Sequence, residues 1–402
     1  MKILYVYNGC STEKYEKLFK NKSIMISQQS QKYHSVLLQG LRKNKIDIEC
    51  ISGLPVNRKL TKNWRIPSET EVIDGIKYHY FSTINFSAFR RIQLLIKSFF
   101  YTVSKPSDSI LICDVLDVSS CIGALIAARV RRMKSVGIVT DVPGHLANSS
   151  EKKSLLEKIR IGLLNKFDGY VLLTHAMNAV VNTKSKPFVV LEGHVDEQMQ
   201  YSKNRLEEKQ MPKILMYAGS LKKIYGIGNL TEAFITANIP GWELHIYGDG
   251  DFREELVEIC KKHSTVKYQG IRLNRDIVAA ELKASLLVNP RPTNEDYVKY
   301  SFPSKNMEYM ASGTPVITTH LPGMPDEYLP YVFLFEDETV SGMINMLQKI
   351  LLLSNEELYT MGFRAKKFVL ENKNSVVQAR RILDMIRKEL LLERVKKSQN
   401  EE

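Results

Sequence analysis

Short apolar runs alternate with longer amphipathic stretches along the first half of the chain. KILYVY (2–7) has the pattern of a buried strand, a helical pattern covers about 28–45, and IDIECIS (46–52) returns to a strand pattern. Asp74 and Gly75 separate two alternating segments, which is typical of a hairpin. Further strands are expected at SILICD, KSVGIVT and DGYVLLT, with helical stretches between them. Such alternation predicts a mostly parallel sheet.

A second series of the same kind begins near Lys213. Its expected strands are KILMYAG, WELHIYG, VKYQG, SLLVNP and PVITT, each followed by a helical segment or a turn. The segment EGHVDEQMQYSKNRLEEKQM, between the two series, is polar and lacks a strand period, whereas the chain beyond Ser354 is helical in pattern. The sequence therefore predicts one α/β domain over 1–196, a second over 197–375 and a C-terminal helical region over 376–402.

Length and composition agree with a two-domain intracellular protein. The chain has 402 residues, whereas single hydrophobic cores stop growing at roughly 250 residues. No run approaches the ~18 apolar residues of a membrane span, and Met1 precedes too short an apolar region for a signal peptide. The five cysteines are scattered without the spacing of disulfides or zinc sites, so reduced thiols are expected. We therefore expect a cytoplasmic protein.

The charge balance narrows the class of partner. Lys plus Arg number 57 against 44 acidic residues, which gives a net charge of +13. Such an excess favours anionic partners, among them nucleic acid, anionic lipid and phosphorylated ligands. No recognisable nucleic-acid-binding module accompanies the charge, so nucleic acid is not an expected partner.

Ligands of open α/β sheets bind outside the carboxyl ends of the strands, so the turns after the strands of the second half are the candidate sites. In YAGSLKKIYGIG the strand ends at Gly219 and Ser220, and Lys222 and Lys223 precede a helix that begins near Gly226. Glycine admits a phosphate close to the backbone, lysine supplies charge and a helix N-terminus supplies unpaired amides. This turn is a candidate pyrophosphate site, although an ordinary strand-helix turn with solvated lysines has the same pattern.

The second candidate turn is YGDGDFREEL. Its Asp249 and Asp251 match the Asp-x-Asp pattern that is linked to metal-dependent sugar transfer. Here the glycine-rich turn opens a helix, so the acids are more simply explained as residues that end the strand and cap or charge the helix start. Gly248 and Gly250 are then candidates for backbone near a donor, and no metal ion is expected.

The third turn, NPRPTNEDYVKYSFPSKNMEYMASGTPVITT, carries the strongest signal. Pro303 favours a helix start, Ser304 and Lys305 lie in the first turn, and Gly313 can end the helix before the next strand. The helix N-terminus can receive an anion through its amides and Lys305, while Glu308, one turn deeper, can accept hydrogen bonds from ribose hydroxyls. The alternative is a capped core helix whose glutamate merely favours the helix dipole.

The segment SFPSKNMEYMASGTPVI, together with YAGSL, LHIYGDGD and VKYQG in the expected order and spacing, resembles the retaining glycosyltransferases of family four. The resemblance covers most of 213–320, and GIVTDVPGH and the final helical region also fit. It implies the α/β fold called GT-B, with two facing Rossmann-like domains, parallel sheets and a C-terminal helical region that can cross back to the first domain. The donor-binding residues that it implies are Gly219, Ser220, Lys222, Lys223, Gly248, Gly250, Ser301, Phe302, Pro303, Ser304, Lys305 and Glu308.

Three positions depart from the family pattern. The family usually has a second glutamate eight positions before the ribose-binding one, and this chain has Tyr300 there. The usual arginine after the first-turn glycine is Ser220, and the usual lysine before the next glycine is Tyr225. The lysines of these turns, Lys222, Lys223 and Lys305, are therefore expected to neutralise the pyrophosphate.

The resemblance also implies a reaction. A sugar would pass, with retention and without a metal cofactor, from a nucleotide diphosphate donor, expected to be UDP-linked, to a hydroxyl of a glycan or polyprenyl-linked acceptor. Members with a similar Phe-Pro-Ser-Lys sequence resemble bacterial enzymes of capsule, O-antigen or exopolysaccharide assembly. Asp141 and His145, in the turn after GIVT, are the candidate catalytic residues of the first domain. A sugar-nucleotide epimerase of the same fold and a non-catalytic nucleotide-sugar-binding protein are the alternatives.

An amphipathic segment suggests where such an acceptor would be met. In NFSAFRRIQLLIKSFFYTV, Phe89, Ile92, Ile96, Phe99 and Val103 fall on one helical face. An interfacial helix and a core-packed helix share this pattern, and EKKSLLEKIRIGLLNKF has the same ambiguity. An anionic membrane surface is therefore a candidate partner, and peripheral association with the inner face of the cell membrane is a candidate location.

Overall fold

The computed structural model describes residues 1–19, 28–58, 60–142 and 155–391. The chain divides into two compact units, each with its own sheet. The first unit comprises Met1–His194 and Ser375–Glu402, and the second comprises Val195–Asn374. The sequence placed the corresponding boundaries after residues 196 and 375.

In the first unit, strands alternate with helices. Its strands in chain order are β1 (Lys2–Val6), β2 (Asp47–Ser52), β3 (Arg65–Ile66), β4 (Glu69–Ile73), β5 (Ile76–Tyr80), β6 (Thr83–Ile84), β7 (Ile110–Asp114), β8 (Ser135–Val139), β9 (Gly169–Leu172) and β10 (Phe188–Val190). The helices before the second unit are α1 (Thr12–Phe19), α2 (Gln28–Lys43), α3 (Ser87–Val103), α4 (Val118–Val130), α5 (Leu155–Leu164) and α6 (His175–Val181).

The first sheet has the order β10-β9-β8-β7-β1-β2-β5-β4 and is parallel except at β4. β4 and β5 form the expected hairpin, in which Asp74 and Gly75 have φ values of 52° and 75°, as a type I′ turn requires. β3 and β6 pair separately as a short antiparallel ribbon. Because the chain leaves β1 for β2 on one side and later returns to β7 on the other, the carboxyl ends of β1 and β7 flank a topological switch point.

The second unit repeats the architecture. Its strands are β11 (Lys213–Ala218), β12 (Trp242–Tyr247), β13 (Val266–Gly270), β14 (Leu286–Asn289), β15 (Val316–Thr319) and β16 (Phe333–Phe335). Its helices are α7 (Ile227–Ala237), α8 (Arg253–Lys262), α9 (Asn274–Lys283), α10 (Ser304–Ser312), α11 (Val340–Ile350) and α12 (Asn355–Asn372).

The second sheet has the order β13-β12-β11-β14-β15-β16, and all its pairings are parallel. The chain winds from β11 out to β13 and then returns to β14 on the other side of β11. The carboxyl ends of β11 and β14 therefore flank the switch point of this unit, which is where open α/β sheets bind ligands. α10 follows β14 and has Pro303 as its N-cap; it ends at Gly313, whose φ of 81° is left-handed, as expected from the sequence.

The C-terminal helix α13 (Ser375–Met385) belongs to the first unit and packs on α2. Gly40 makes this packing possible, because a Cβ there would lie 2.1 Å from the Ser375 carbonyl oxygen. Asn44 adds a hydrogen bond, since its Nδ2 donates to the Val376 carbonyl at 2.9 Å. A π-helical segment, Ile386–Leu391, continues α13, and the expected frayed tail beyond it lies outside the described residues.

α3 leaves much of its apolar stripe uncovered. Of the five residues of the predicted stripe, Phe89, Ile92 and Ile96 are 60%, 58% and 46% exposed, whereas Phe99 and Val103 are half-buried; the neighbouring Phe100 is 66% exposed. The opposite side packs on α4 so closely that a Cβ at Gly123 would lie 2.0 Å from a carbonyl oxygen of α3. The core-packed interpretation of this stripe is therefore wrong. In the described part of the chain, none of the helices combines the length and apolarity that a membrane crossing requires.

Candidate active site

Backbone hydrogen bonds hold the turns after β11 and β12 side by side. The Gly219 amide donates to the Tyr247 carbonyl at 2.9 Å, and the Leu221 amide donates to the Asp249 carbonyl at 2.8 Å. Gly248 has a φ of 128°, and a Cβ there would lie 1.7 Å from the Gly219 carbonyl oxygen. Only glycine fits this approach, so the two glycine turns form one backbone surface at the carboxyl edge of the sheet.

The two acids of the second turn do not cap α8. Its N-cap is Phe252, and no side chain makes a capping hydrogen bond. Instead, Asp251 Oδ1 accepts a 2.8 Å hydrogen bond from the Lys223 amide, and Asp249 lies 3.6 Å from the Arg253 guanidinium. The capping alternative is therefore wrong, because these carboxylates bind a neighbouring turn and a side chain of α8, whereas the strand does end before them, at Tyr247. Within the described ranges, no group of three or more His, Cys, Asp or Glu side chains could hold a metal ion.

Polar contacts fix the start of α10 at the same edge of the sheet. The Tyr309 hydroxyl accepts from the Ala218 amide at 2.8 Å and donates to the carbonyl of the same residue at 3.2 Å. Asn306 is buried; its Oδ1 accepts from Asn289 Nδ2 at 2.8 Å and its Nδ2 donates to Thr318 Oγ1 at 3.3 Å. These contacts tie α10 to β11, β14 and β15, so its N-terminal amides are held at the switch point.

Lys305 brings a positive charge to the glycine turns. Its ammonium lies 5.0 Å from the Tyr217 ring centroid, and only 1.2 Å from where a Cβ on Gly219 would be. Burial, together with the Arg291 cation, lowers the pKa of Lys305 to about 8, and Glu308 opposes this change. Among the described residues, no hydrogen bond or ion pair to this ammonium is found. A bound anion would stabilise the charged form and raise the pKa again.

Arg291 is a site residue that the sequence did not reveal. It follows β14 at the switch point, and its guanidinium carbon lies 4.5 Å from the Tyr225 ring centroid and 6.0 Å from that of Tyr297. Nη1 is 3.4 Å from Ser301 Oγ, while the buried Nε has no hydrogen-bond partner in the described part of the chain. The available signal was an arginine directly after a strand, in NPRP.

The other predicted donor-binding residues of the first turn are exposed or make contacts within the protein. Lys222 is exposed, and the Lys223 ammonium pairs with Glu255 at 2.8 Å. The Ser220 carbonyl accepts from the Tyr217 hydroxyl at 2.9 Å, which fixes the turn. Of the three lysines expected to neutralise a pyrophosphate, Lys305 lies at the glycine turns, whereas Lys222 and Lys223 are exposed.

At the start of α10, the predicted residues divide into core and surface. Phe302 is buried and packs on Tyr328, with ring centroids 5.2 Å apart, so its side chain belongs to the core. Ser304 is the exposed first residue of the helix. Glu308 is half-buried one turn deeper and close enough to influence the pKa of Lys305.

Of the two catalytic candidates of the first unit, Asp141 follows β8 and is half-buried, whereas His145 lies outside the described residues. The sequence did not reveal a buried cluster at the switch point of the first sheet. Asp114, at the end of β7, lies 3.1 Å from His34 Nε2, and the Tyr5 hydroxyl lies 2.7 Å from His34 Nδ1. This cluster places a polar network at the carboxyl edge of the first sheet, the edge at which open α/β sheets bind ligands.

Comparison with known proteins agrees with this architecture. Residues 212–352 match the family described as "Glycosyl transferases group 1". Sucrose-phosphate synthase from Thermosynechococcus elongatus matches with a TM-score of 0.65 and 14% identity over 96% of this chain and 98% of that one. Anabaena HepE in complex with UDP-glucose matches with a TM-score of 0.62 and 14% identity over 96% of this chain and 99% of that one. The pneumococcal O-GlcNAc transferase GtfA, in complex with UDP and GlcNAc, matches with a TM-score of 0.60 and 12% identity over 97% of this chain and 99% of that one. No curated protein matches the sequence.

Two Rossmann-like units of this topology are what the GT-B fold consists of, and the protein is a glycosyltransferase of that class. Its residues 212–352 match the family model described as "Glycosyl transferases group 1".

Proposed function

We propose that the second unit binds a UDP-linked sugar and that the enzyme transfers this sugar, with retention, to a hydroxyl of a glycan or polyprenyl-linked acceptor. The observation that carries the proposal is the Lys305 ammonium, which lies between the α10 N-terminus and the glycine turns and has no hydrogen bond or salt bridge to a carboxylate among the described residues. Anabaena HepE with UDP-glucose and pneumococcal GtfA with UDP share the fold, which supports a UDP-linked donor.

The arrangement suits the binding of a diphosphate without a metal ion. The amides at the start of α10 and the Lys305 ammonium would receive the phosphate oxygens, and Gly219 and Gly248 would let them approach the backbone. Glu308 would accept hydrogen bonds from the ribose hydroxyls. As the bond to the sugar breaks, negative charge grows on the departing diphosphate, and preorganised positive groups stabilise it there.

The acceptor is assigned to the first unit, with Asp141 and His145 as the candidate contacts to acceptor or donor sugar. The similarity of the Phe-Pro-Ser-Lys segment to polysaccharide-assembly enzymes supports a role in bacterial capsule, O-antigen or exopolysaccharide synthesis. The exposed apolar stripe of α3, in a protein of net charge +13, supports docking on an anionic membrane where a polyprenyl-linked acceptor would lie.

A sugar-nucleotide epimerase of this fold is the second candidate, and the site offers no feature that favours it. An epimerase would convert the donor sugar without an acceptor, whereas a transferase releases UDP only as the acceptor is glycosylated. The group 1 match favours the transferase.

The donor can be identified by thermal shift of the purified protein against UDP-, GDP-, ADP- and CMP-linked sugars. We expect one UDP-sugar to raise the melting temperature and both Lys305→Ala and Glu308→Ala to abolish the rise. Lys261→Ala, which removes an exposed partner of Glu258 on α8, is the matched control and should respond like the wild type. No shift with any donor in the wild type would contradict the proposal.

A further inference from the structure

We propose that Arg291 is a diphosphate-binding residue of this enzyme and acts together with Lys305. This inference rests on the proposed function and adds a residue to that site. Arg291 comes from the turn after β14 and lies against the turn after β11, in which Ser220 and Tyr225 are uncharged.

The geometry brings Arg291 to the first turn. A Cβ at Gly226 would lie 2.2 Å from the Pro290 carbonyl oxygen, so the turn before α7 and the turn after β14 are in backbone contact. Thr319 Oγ1 donates to the Arg291 carbonyl at 2.5 Å, which fixes the arginine backbone. The guanidinium carbon then lies 4.5 Å from the centroid of the Tyr225 ring. The arginine therefore lies against a residue of the turn that follows β11.

The contact with Tyr225 holds Arg291 without using up its donors. A guanidinium on an aromatic face gains a cation–π attraction, while the N–H groups at its edge stay available for an anion. Only a 3.4 Å contact with Ser301 Oγ engages Nη1, and no carboxylate pairs with Arg291 among the residues that the structure describes. The five N–H donors of arginine match paired phosphate oxygens in a bidentate geometry. The side chain is thus oriented but not neutralised.

The positive charge around Arg291 also favours the binding of an anion. Arg291 is close enough to Lys305 to lower the pKa of that ammonium, so two cations repel each other across the switch point. The buried Arg291 Nε has no hydrogen-bond partner in the described chain. Like charges and an unsatisfied buried donor are both unfavourable in the absence of a ligand. A diphosphate, with negative oxygens on two phosphorus centres, would satisfy both cations at once.

The alternative is a structural role, in which Arg291 only fills the space between the Tyr225 and Tyr297 rings. The two roles differ in which ligands lose affinity when Arg291 is substituted. A diphosphate-binding residue affects UDP more than UMP and leaves uridine nearly unaffected, whereas a packing residue affects all three ligands alike.

Isothermal titration of the full-length protein with UDP, UMP and uridine separates these roles. We expect Arg291→Met to weaken UDP binding about tenfold or more, which is about 1.4 kcal/mol, and to change uridine binding less than twofold. Arg291→Lys keeps the charge without the planar fork and should lie between the wild type and Arg291→Met. Circular dichroism and melting curves check that each variant is folded, and Arg291→Lys serves as the test if Arg291→Met is not.

A rescue variant makes the test specific. Tyr225→Lys combined with Arg291→Met puts a cation on the residue that Arg291 contacts, and we expect UDP binding to recover to within about threefold of the wild type. Wild-type affinity for UDP in both Arg291→Met and Arg291→Lys would overturn the assignment of Arg291 alone. Equal losses for UDP, UMP and uridine would also overturn it, in favour of packing. A wild type that binds none of the three ligands would overturn the proposed donor and, with it, this assignment.

Discussion

Two lysines of the second unit, Lys209 and Lys305, have their pKa lowered by burial, to about 7 and about 8. The Lys209 ammonium donates to the Leu282 carbonyl at 2.9 Å, the Ala284 carbonyl at 2.8 Å and Thr314 Oγ1 at 3.0 Å. The Lys305 ammonium has no such acceptor among the described residues. The first lysine therefore serves the fold, and the second is available to a ligand.

This difference predicts opposite effects on stability. Lys305→Met should raise the melting temperature of the ligand-free protein, because it removes a buried charge whose lowered pKa corresponds to a cost of the order of 3 kcal/mol. Lys209→Met also removes a buried charge, but it should lower the melting temperature, because three acceptors lose their donor and this loss outweighs the relief of the charge. Differential scanning fluorimetry at pH 7 measures both. A decrease for Lys305→Met equal to that for Lys209→Met would contradict the assignment of Lys305 to ligand binding.

The pH dependence of the Lys305 effect follows from the same shift. The folded-state pKa, about 8, is below the ordinary value of 10.5, so the folded protein binds fewer protons than the unfolded chain between these values. The cost of the buried charge is therefore fully present below about pH 8 and declines as the pH rises towards 10.5. The gain in melting temperature of Lys305→Met over the wild type should accordingly shrink between pH 8 and pH 10.

At the scale of the elements, the two glycine turns set different limits on substitution. A Cβ at Gly219 would meet the Lys305 ammonium at 1.2 Å, which is the far end of a flexible side chain. A Cβ at Gly248 would meet the Gly219 carbonyl oxygen at 1.7 Å. In addition, the φ of 128° at Gly248 is a conformation that residues other than glycine rarely adopt. The first contact can be relieved by moving one side chain, and the second cannot.

Gly219→Ala should therefore fold with little loss of stability but bind the donor more weakly, because the displaced Lys305 ammonium no longer faces the glycine turns. Gly248→Ala should lower the free energy of unfolding by about 2 kcal/mol or more, as backbone strain and a backbone clash combine. Urea unfolding and UDP titration of the two variants separate the effects. Equal loss of stability in both variants would contradict this account of the turns.

The same elements show what the sequence could supply. The Pro303 and Gly313 signals predicted the bounds of α10, and the strand pattern located β11 to β15. β16 and the β3–β6 ribbon were too short to give a period. Arg291 was not recognisable as a site residue, because its contact with Tyr225 joins two turns 66 positions apart and depends on the order of the strands.

α3 shows a different limit of sequence reasoning. An apolar stripe at helical spacing is the same whether the stripe meets a core or an interface, so the pattern left both open. The structure contradicts the core-packed interpretation, because α4 covers the opposite side of α3, through the close approach at Gly123. For His145, the prediction lies outside the described residues and stays a prediction.

At the scale of the whole molecule, the net charge of +13 and the α3 stripe predict binding to anionic vesicles. The wild type should sediment with phosphatidylglycerol-containing vesicles and less with neutral phosphatidylcholine vesicles. A variant with serine at Phe89, Ile92, Ile96 and Phe100 should lose most of this binding, because its apolar contact area is removed.

The matched control for that variant is Ile271→Ser with Leu352→Ser, which changes exposed apolar residues of the second unit, 69% and 77% exposed. This control should bind vesicles like the wild type. Unchanged sedimentation of the α3 variant would remove the support for membrane docking. An intact thermal response of that variant to the donor confirms that it is folded.

The central claim is that the switch point of the second unit binds the diphosphate of a nucleotide sugar. A crystal structure of the protein with UDP tests it most directly. The account predicts the diphosphate against the α10 N-terminus, within hydrogen-bond distance of the Lys305 ammonium and the Arg291 guanidinium, and the ribose beside Glu308. UDP bound at any other place, with the α10 N-terminus and both cations out of contact with it, would contradict the claim.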